Sequence, residues 1–125
     1  MNYNTLNVLS LAYIGDAIYE VYIRKHLIQK GIVKVEQLQK EAVNYVSAKN
    51  QAYFLKNMID NNVFTENEMQ IIIRARNHKG NRHPKNTDII TYKHSTGLEA
   101  IIGYLYLKNN IERINYIMNY ILEVK

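Results

Sequence analysis

The expected fold follows from one stretch near the N-terminus, Leu11-Ala12-Tyr13-Ile14-Gly15-Asp16-Ala17-Ile18-Tyr19-Glu20, in which apolar side chains recur at helical spacing. The same spacing runs from about Thr5 to Lys30, and Gly31 follows as a residue that commonly ends helices. This region therefore predicts one long or kinked helix. An acid, Asp16, stands alone inside the apolar pattern.

Two further helical regions follow, each with a recognisable boundary signal. From Val35 to Ile59 the apolar spacing is again helical, and Ser47 suits an N-cap. This region could therefore form one helix or two shorter ones. Thr65-Glu66-Asn67-Glu68 fits a capping box, in which the hydroxyl and the carboxylate satisfy each other's backbone amides. The next helix is expected to begin there and to end near Asn77.

A clear loop is expected at residues 78–86, which include the only proline and no apolar residue. A strongly apolar helix is expected from about Ser95 to Leu107, and Asn110 suits the cap of a last amphipathic helix. With Pro 1 and Gly 5, the composition disfavours turn-rich β architectures. The sequence therefore predicts an all-α helical bundle, formed by residues 1–125 as a single domain.

Composition indicates the kind of partner and compartment. The chain has 16 Lys and Arg against 11 Asp and Glu, and this net charge of +5 suits nucleic acid but also simple solubility. The absence of cysteine excludes disulfides and thiolate metal sites, so any metal must be held by carboxylate, imidazole or water. Because no signal peptide or membrane-length apolar run is found, we expect a soluble, cytoplasmic protein.

Two isolated acids, Asp16 and Glu99, each lie within an apolar helical stretch. Burying an unpaired charge is costly, so each acid needs a partner. For Asp16 the partner could be Arg24, a lysine or a backbone amide. Alternatively, the two carboxylates converge and, with water, bind magnesium, which can activate water beside a phosphodiester. Gly97 and Gly103 would allow another backbone to approach, or simply allow tight helix packing.

Basic residues are concentrated on or beside the expected loop. Lys and Arg there could neutralise phosphates without reading sequence, although a charged loop is commonly just solvated. The histidines form no paired i, i+4 arrangement, and no nucleophile system or glycine-rich phosphate loop is evident. The whole run is Arg74, Arg76, His78, Lys79, Arg82, His83, Lys85, Lys93 and His94. The candidate nucleic-acid-binding residues among them are Arg74, Arg76, Lys79, Arg82 and Lys85.

Three blocks of sequence, taken in order, resemble the ribonuclease III catalytic domain and, more narrowly, the Mini-ribonuclease III family. The first is the stretch from Leu11 to Glu20, and the second is Val46-Ser47-Ala48-Lys49-Asn50-Gln51-Ala52. The third runs from Arg74-Ala75-Arg76-Asn77 through Pro84-Lys85-Asn86 to Thr96-Gly97-Leu98-Glu99-Ala100-Ile101-Ile102-Gly103-Tyr104-Leu105-Tyr106-Leu107. Both isolated acids lie inside these blocks, and the likeness spans nearly the whole chain.

The resemblance implies an all-α, magnesium-dependent endoribonuclease that forms a homodimer and cleaves double-stranded RNA, leaving a 3′-hydroxyl and a 5′-phosphate. In that reading Asp16 and Glu99 are the catalytic and metal-binding pair, with one Mg²⁺ site in each subunit. The family is associated with maturation of the large-subunit (23S) ribosomal RNA precursor, which is the expected substrate. No separate double-stranded-RNA-binding domain is expected, so the basic loop should supply more of the RNA binding.

The sequence departs from the broader ribonuclease III pattern at two positions, where Ala12 and Thr96 stand in place of acids. Asp16 and Glu99 are then expected to be the only direct protein ligands. These departures leave open a catalytically inactive RNA-binding module of the same fold, and a helical protein-interaction adaptor is a further alternative. Glu20 could assist the acid pair, or it could form a structural ion pair with Arg24 at i+4.

Overall fold

The computed structural model describes residues 1–78, 85 and 87–124. Within these ranges the chain is helical and contains no strand, which confirms the predicted all-α class. After a 3-10 helix at Tyr3–Thr5, the helices are α1 (Val8–Gln29), α2 (Val35–Val46), α3 (Ala48–Asp60), α4 (Glu66–Arg76), α5 (Ile89–Leu107) and α6 (Ile111–Val124). In the described part of the chain, no helix has both the length and the apolar character that a membrane span needs.

Helix α5 lies at the centre of the fold, because α1, α3 and α4 all pack against it. Its residues Leu98, Ile101 and Ile102 are inaccessible to solvent, and Leu11 and Tyr19 of α1 belong to the same core. A helix that is apolar on nearly every side must be covered on nearly every side, which explains the central position of α5. The two helices that carry the isolated acids are therefore direct neighbours.

Helix α1 is the long helix that its apolar spacing predicts. Asn7 caps its N-terminus, since the Asn7 side chain accepts a hydrogen bond from the backbone N–H of Leu9 at 2.8 Å. After the last turn, Gly31 has a φ of 97°, in the left-handed region that favours glycine. The predicted stop at Gly31 is confirmed.

Two predicted helix boundaries are confirmed by individual hydrogen bonds. Ser47 separates α2 from α3, and its side chain accepts from the Asn50 N–H at 3.3 Å, so two shorter helices form rather than one. At the start of α4, the Glu68 N–H donates to Thr65 Oγ1 at 3.2 Å, while the Thr65 N–H donates to Glu68 Oε1 at 2.9 Å. This reciprocal pair is the predicted capping box.

Helix α5 begins at Ile89, earlier than the predicted start at Ser95. The physical reason is an N-cap at Asp88, whose carboxylate accepts from the Thr91 N–H at 2.9 Å and from the Thr91 hydroxyl at 2.8 Å. The added turns bring Thr91 and the residues after it onto α5. Most of the loop predicted at 78–86 lies outside the described residues.

Candidate active site

The structure brings Asp16 on α1 and Glu99 on α5 together where these two helices pack. The backbone of Glu99 lies against Gly15, the residue before Asp16, and the Asp16 carboxyl is close enough to raise the pKa of Glu99. Asp16 is exposed and Glu99 is half-buried, so the pair opens to solvent on the Asp16 side. The isolated acids of the sequence are thus neighbours, as one of the two sequence interpretations requires.

Two glycines permit the close approach of α1 and α5 beside this pair. A Cβ at Gly15 would lie 1.7 Å from the backbone oxygen of Glu99, and a Cβ at Gly103 would lie 1.9 Å from the backbone oxygen of Leu11. A larger residue at either position would therefore push the helices apart. Gly97 differs, because the atoms nearest to its Cβ position belong to side chains, the closest being Arg76 Cγ at 3.2 Å, and not to another backbone. The backbone approach predicted at Gly103 is confirmed, and Gly15 makes the matching contact.

The proximity of two acids changes the protonation of Glu99. Burial, the hydrogen bond with Asp16 and the charge of Asp16 raise the pKa of Glu99 from its ordinary 4.5 to about 9, and the charge of Glu20 adds to the rise. The amide of Gln51 acts in the opposite direction. Adjacent carboxylates do not both ionise without compensation, so at neutral pH the pair shares a proton or binds a cation.

The two positions where the broader pattern has acids contribute no ligand. Ala12 and Thr96 are both buried, and the Thr96 hydroxyl donates to the backbone oxygen of Tyr92 at 3.0 Å. Among the described residues, no group of three or more His, Cys, Asp or Glu side chains is placed to hold a metal ion. The candidate ligands that the structure brings together in the described part of the chain are therefore the carboxylates of Asp16 and Glu99.

Glu20, one turn after Asp16, is engaged in an ion pair. Arg24 Nη2 lies 2.8 Å from Glu20 Oε2, and Arg24 Nε donates to the same oxygen at 2.9 Å. The structural ion pair at i+4 is thus the interpretation that the geometry supports. Arg24 is thus the partner of Glu20, whereas Asp16 lies beside Glu99.

Gln51 is the residue near the acid pair that sequence reasoning missed. It lies on α3, which packs against α5, and its side chain is only 2% exposed. The available signal is its register: Phe54 and Leu55, three and four residues later, form the buried face of α3. An amide on a buried face needs a polar partner, and Glu99 is close enough to feel its effect.

Arg74, one of the candidate RNA-binding residues, has partners within the chain. Its guanidinium donates to the backbone oxygens of Asn4 and Leu6, the latter at 2.8 Å. These bonds attach the N-terminal segment to α4. A role for Arg74 in RNA binding stays a prediction.

The other four candidates divide between a surface cleft and the loop. Arg76 lines a cleft of about 520 Å³ beside α3, α4 and α5, which we name the basic cleft. Lys85 is exposed, whereas Lys79 and Arg82 lie outside the described residues. The other charged and aromatic residues that line the basic cleft are Lys49, Tyr53, Lys56, Asp60 and His94. The α3 lysines were not candidates from the sequence, because they are distant in the chain from the basic run.

A model of the Ribonuclease III domain family matches residues 9–110 of the chain. This match, together with the all-α fold, defines the class: the protein is a ribonuclease III-type endoribonuclease, a hydrolase of phosphodiester bonds.

Similar proteins narrow the class. The chain is 43% identical over 120 residues to Mini-ribonuclease 3 of Streptococcus pneumoniae, covering 96% of this chain and 94% of that protein. It is 49% identical over 111 residues to Mini-ribonuclease 3 of Brevibacillus brevis, covering 89% and 81%. A crystal structure of a Fusobacterium nucleatum protein is similar with a TM-score of 0.84 at 37% identity, covering 95% and 93%. The chain belongs to the Mini-ribonuclease 3 family, which confirms the resemblance.

Proposed function

We propose that this protein is a magnesium-dependent endoribonuclease that cleaves double-stranded RNA, with Asp16 and Glu99 as its catalytic and metal-binding residues. The observation that carries the proposal is the Asp16–Glu99 carboxyl pair between α1 and α5 in a ribonuclease III fold. Adjacent acids repel each other unless a proton or a cation compensates them, and such pairs are concentrated at functional sites. A divalent cation is the ligand that two carboxylates recognise.

The donor set fits a hard divalent cation. Asp16 and Glu99 would hold the ion through carboxylate oxygens, and Mg²⁺ commonly keeps several water molecules, so few protein ligands are needed. When bound, such an ion supplies an activated water and stabilises the charge that develops at the phosphodiester. Glu99, whose pKa is raised to about 9 without a cation, would lose its proton to solvent when it holds the ion, because a nearby cation favours the ionised carboxyl.

The RNA duplex is proposed to bind along the basic cleft and the basic loop. Lys49, Lys56 and Arg76 line the cleft, and such side chains neutralise phosphates without reading the base sequence. Tyr53, also in the cleft, is 56% exposed and offers a ring beside these charges. The loop residues of the proposed RNA-binding set are Lys79, Arg82 and Lys85, and Arg74 adds positive charge at the end of α4.

A homodimer is proposed as the active form because α1 carries an exposed apolar stripe. Tyr13 is 83% exposed and Val21 is 59% exposed, and they share one side of the helix with Leu9 and Ala17, since all four recur at intervals of four residues. Contiguous exposed apolar side chains with an aromatic residue are typical of protein interfaces. Asp16 adjoins this stripe, so a second copy packed there would bring two sites close enough to serve opposite strands.

The proposed physiological substrate is the large-subunit (23S) ribosomal RNA precursor, processed in the cytoplasm by a chain that acts as one catalytic domain. The substrate follows from the association of this family with that precursor, and the chain covers most of the length of its relatives, which suits one catalytic domain. Sequence-independent phosphate contacts suit a substrate that is recognised as a duplex.

The direct test incubates purified wild-type protein and Asp16→Asn with a long RNA duplex, with and without Mg²⁺. We expect cleavage only by the wild type with Mg²⁺, and products that carry a 5′-phosphate. Glu36→Gln, an exposed acid on α2, is the matched control and should cleave normally. Cleavage by a folded Asp16→Asn variant would contradict the proposal.

A second candidate function is favoured by the lack of acids at Ala12 and Thr96, which are buried and leave a sparse ligand set. In that case the protein is a catalytically inactive RNA-binding module. It would bind the duplex in a salt-dependent manner and would not cut it with Mg²⁺ or Mn²⁺. The same incubation, combined with a binding measurement at several salt concentrations, separates the two functions.

A further inference from the structure

Gln51 carries an unsatisfied polar group in the interior. Among the described residues, its Nε2 is the one buried side-chain nitrogen or oxygen that has no hydrogen-bond partner. Buried amides are nearly always paired, because an unpaired donor has lost its water without gaining a protein acceptor. An amide left in this state beside a polar site calls for a functional explanation.

The surroundings of Gln51 show which group it serves. Helix α3 packs on α5, and the Gln51 amide lies near enough to the Glu99 carboxyl to lower its pKa, as a hydrogen-bond donor does. Its Nε2 nevertheless has no hydrogen-bond partner, and Glu99 also has Asp16 close by. Gln51 is therefore a buried neighbour of Glu99 whose amide N–H groups are available to a carboxylate.

We propose that Gln51 is a positioning residue for the divalent-cation site, whose Nε2–H donates to the Glu99 carboxylate when a cation occupies the site. The inference rests on the proposed function, since it requires Asp16 and Glu99 to bind the ion. Carboxylates that bind metals are commonly held by a second hydrogen bond, which fixes their orientation. Because Ala12 and Thr96 stand in place of acids, the proposed site has two carboxylate ligands, and this hydrogen bond would fix the orientation of one of them, Glu99.

A near-isosteric variant, Gln51→Met, tests the proposal because it removes the donor and keeps the volume. The readout is Mn²⁺ binding to the metal-free protein, measured from the loss of the free-Mn²⁺ electron paramagnetic resonance signal. We expect the dissociation constant to rise about 10- to 100-fold, the range typical of lost outer hydrogen bonds to ligands. The melting temperature of the metal-free variant should be unchanged or higher, because the unpaired buried amide is gone.

Gln70→Met is the matched control, since Gln70 is exposed on α4, and it should bind Mn²⁺ like the wild type. If Gln51→Met fails to fold, Gln51→Leu provides the same comparison. A variant that melts lower but binds Mn²⁺ with wild-type affinity would show that Gln51 is merely structural and would overturn the proposal.

The experiment also separates this inference from the proposed function. If the wild type binds no Mn²⁺, or if Asp16→Asn binds it equally well, the metal site itself is refuted. If Mn²⁺ binding depends on Asp16 but is the same in Gln51→Met and in the wild type, only the role of Gln51 is refuted.

Discussion

Glu68 is buried and Glu99 is half-buried, and the two glutamates have neighbours of opposite charge. Glu68 is 5% exposed and accepts hydrogen bonds from Arg113 Nε and Nη2, both at 2.8 Å, in addition to its bonds in the α4 capping box. Glu99 instead faces the carboxyl of Asp16. Burial raises the pKa of each, but the bonds from Arg113 and Thr65 outweigh burial at Glu68 and lower its pKa.

This difference distinguishes the acid that stabilises the fold from the acid that is available for chemistry. The Glu68–Arg113 pair is complete within the chain, and Arg113 also donates to the backbone oxygen of Val63 at 2.6 Å. The Asp16–Glu99 pair is incomplete, because like charges repel and need a proton or cation from outside. Removing an acid should therefore have opposite effects on the free energy of unfolding at the two places.

The largest expected effect is the loss of RNA cleavage in Glu99→Gln. We expect the rate to fall by at least about 100-fold, because a metal ligand contributes several kcal/mol to transition-state stabilisation. The metal-free variant should be no less stable than the wild type at neutral pH, since an amide stays neutral beside Asp16 without having to bind a proton. Cleavage assays and thermal melting measure the two outcomes, with Glu112→Gln on the exposed side of α6 as the control.

The next effect is on stability and concerns Glu68→Ala. This change leaves the Arg113 guanidinium without its acid and removes half of the capping box, so the free energy of unfolding should fall by about 3 kcal/mol. Urea unfolding monitored by circular dichroism measures it. Mn²⁺ affinity at a temperature where the variant is folded should be that of the wild type. A loss below about 1 kcal/mol would place this pair among ordinary surface ion pairs.

The pKa shifts of the two glutamates also predict opposite pH dependences of the free energy of unfolding. The raised pKa of Glu99 means that the native metal-free protein binds a proton that the unfolded chain releases, so stability should fall as pH rises from 4.5 towards 9. The lowered pKa of Glu68 means that its contribution is present above pH 4.5 and is lost as pH falls below that value. Urea midpoints measured across this pH range for the wild type, Glu99→Gln and Glu68→Ala would show which residue causes each change of stability with pH.

The smallest expected effect on stability is that of removing Arg24, the ion-pair partner of Glu20. Arg24 is 74% exposed, so Arg24→Ala should change the free energy of unfolding by no more than about 0.5 kcal/mol. Cleavage should persist, because the ion pair with Glu20 is not part of the acid pair. A loss of cleavage as large as that of Glu99→Gln would show that Glu20 and Arg24 belong to the catalytic site.

Features that depend on neighbours in the chain were predictable from the sequence. The capping box at Thr65 and Glu68, the break at Ser47 and the stop at Gly31 each depend on residues within a few positions. The isolation of Asp16 and Glu99 was also visible, because an acid within an apolar helical pattern needs a reason.

Features that depend on distant partners were not predictable. Glu68 has a second partner, Arg113, that is 45 residues away, and the partners of Arg74 are 68 and 70 residues away. Gln51 looked like an ordinary helix residue until α3 was packed against α5. Local sequence can show that a side chain is on a buried face, as the register of Gln51 does, but tertiary packing decides which distant residue it meets.

The most direct measurement is the pKa of the Glu99 carboxyl, followed by carbon-13 nuclear magnetic resonance with and without Mg²⁺. Without the ion we expect titration near pH 9, because Glu99 is partly withdrawn from solvent and lies beside Asp16. With saturating Mg²⁺ the carboxyl should be ionised at neutral pH, and in Asp16→Asn the ion should have little effect. An ordinary pKa without the ion that Mg²⁺ does not change would contradict a cation site formed by these two acids.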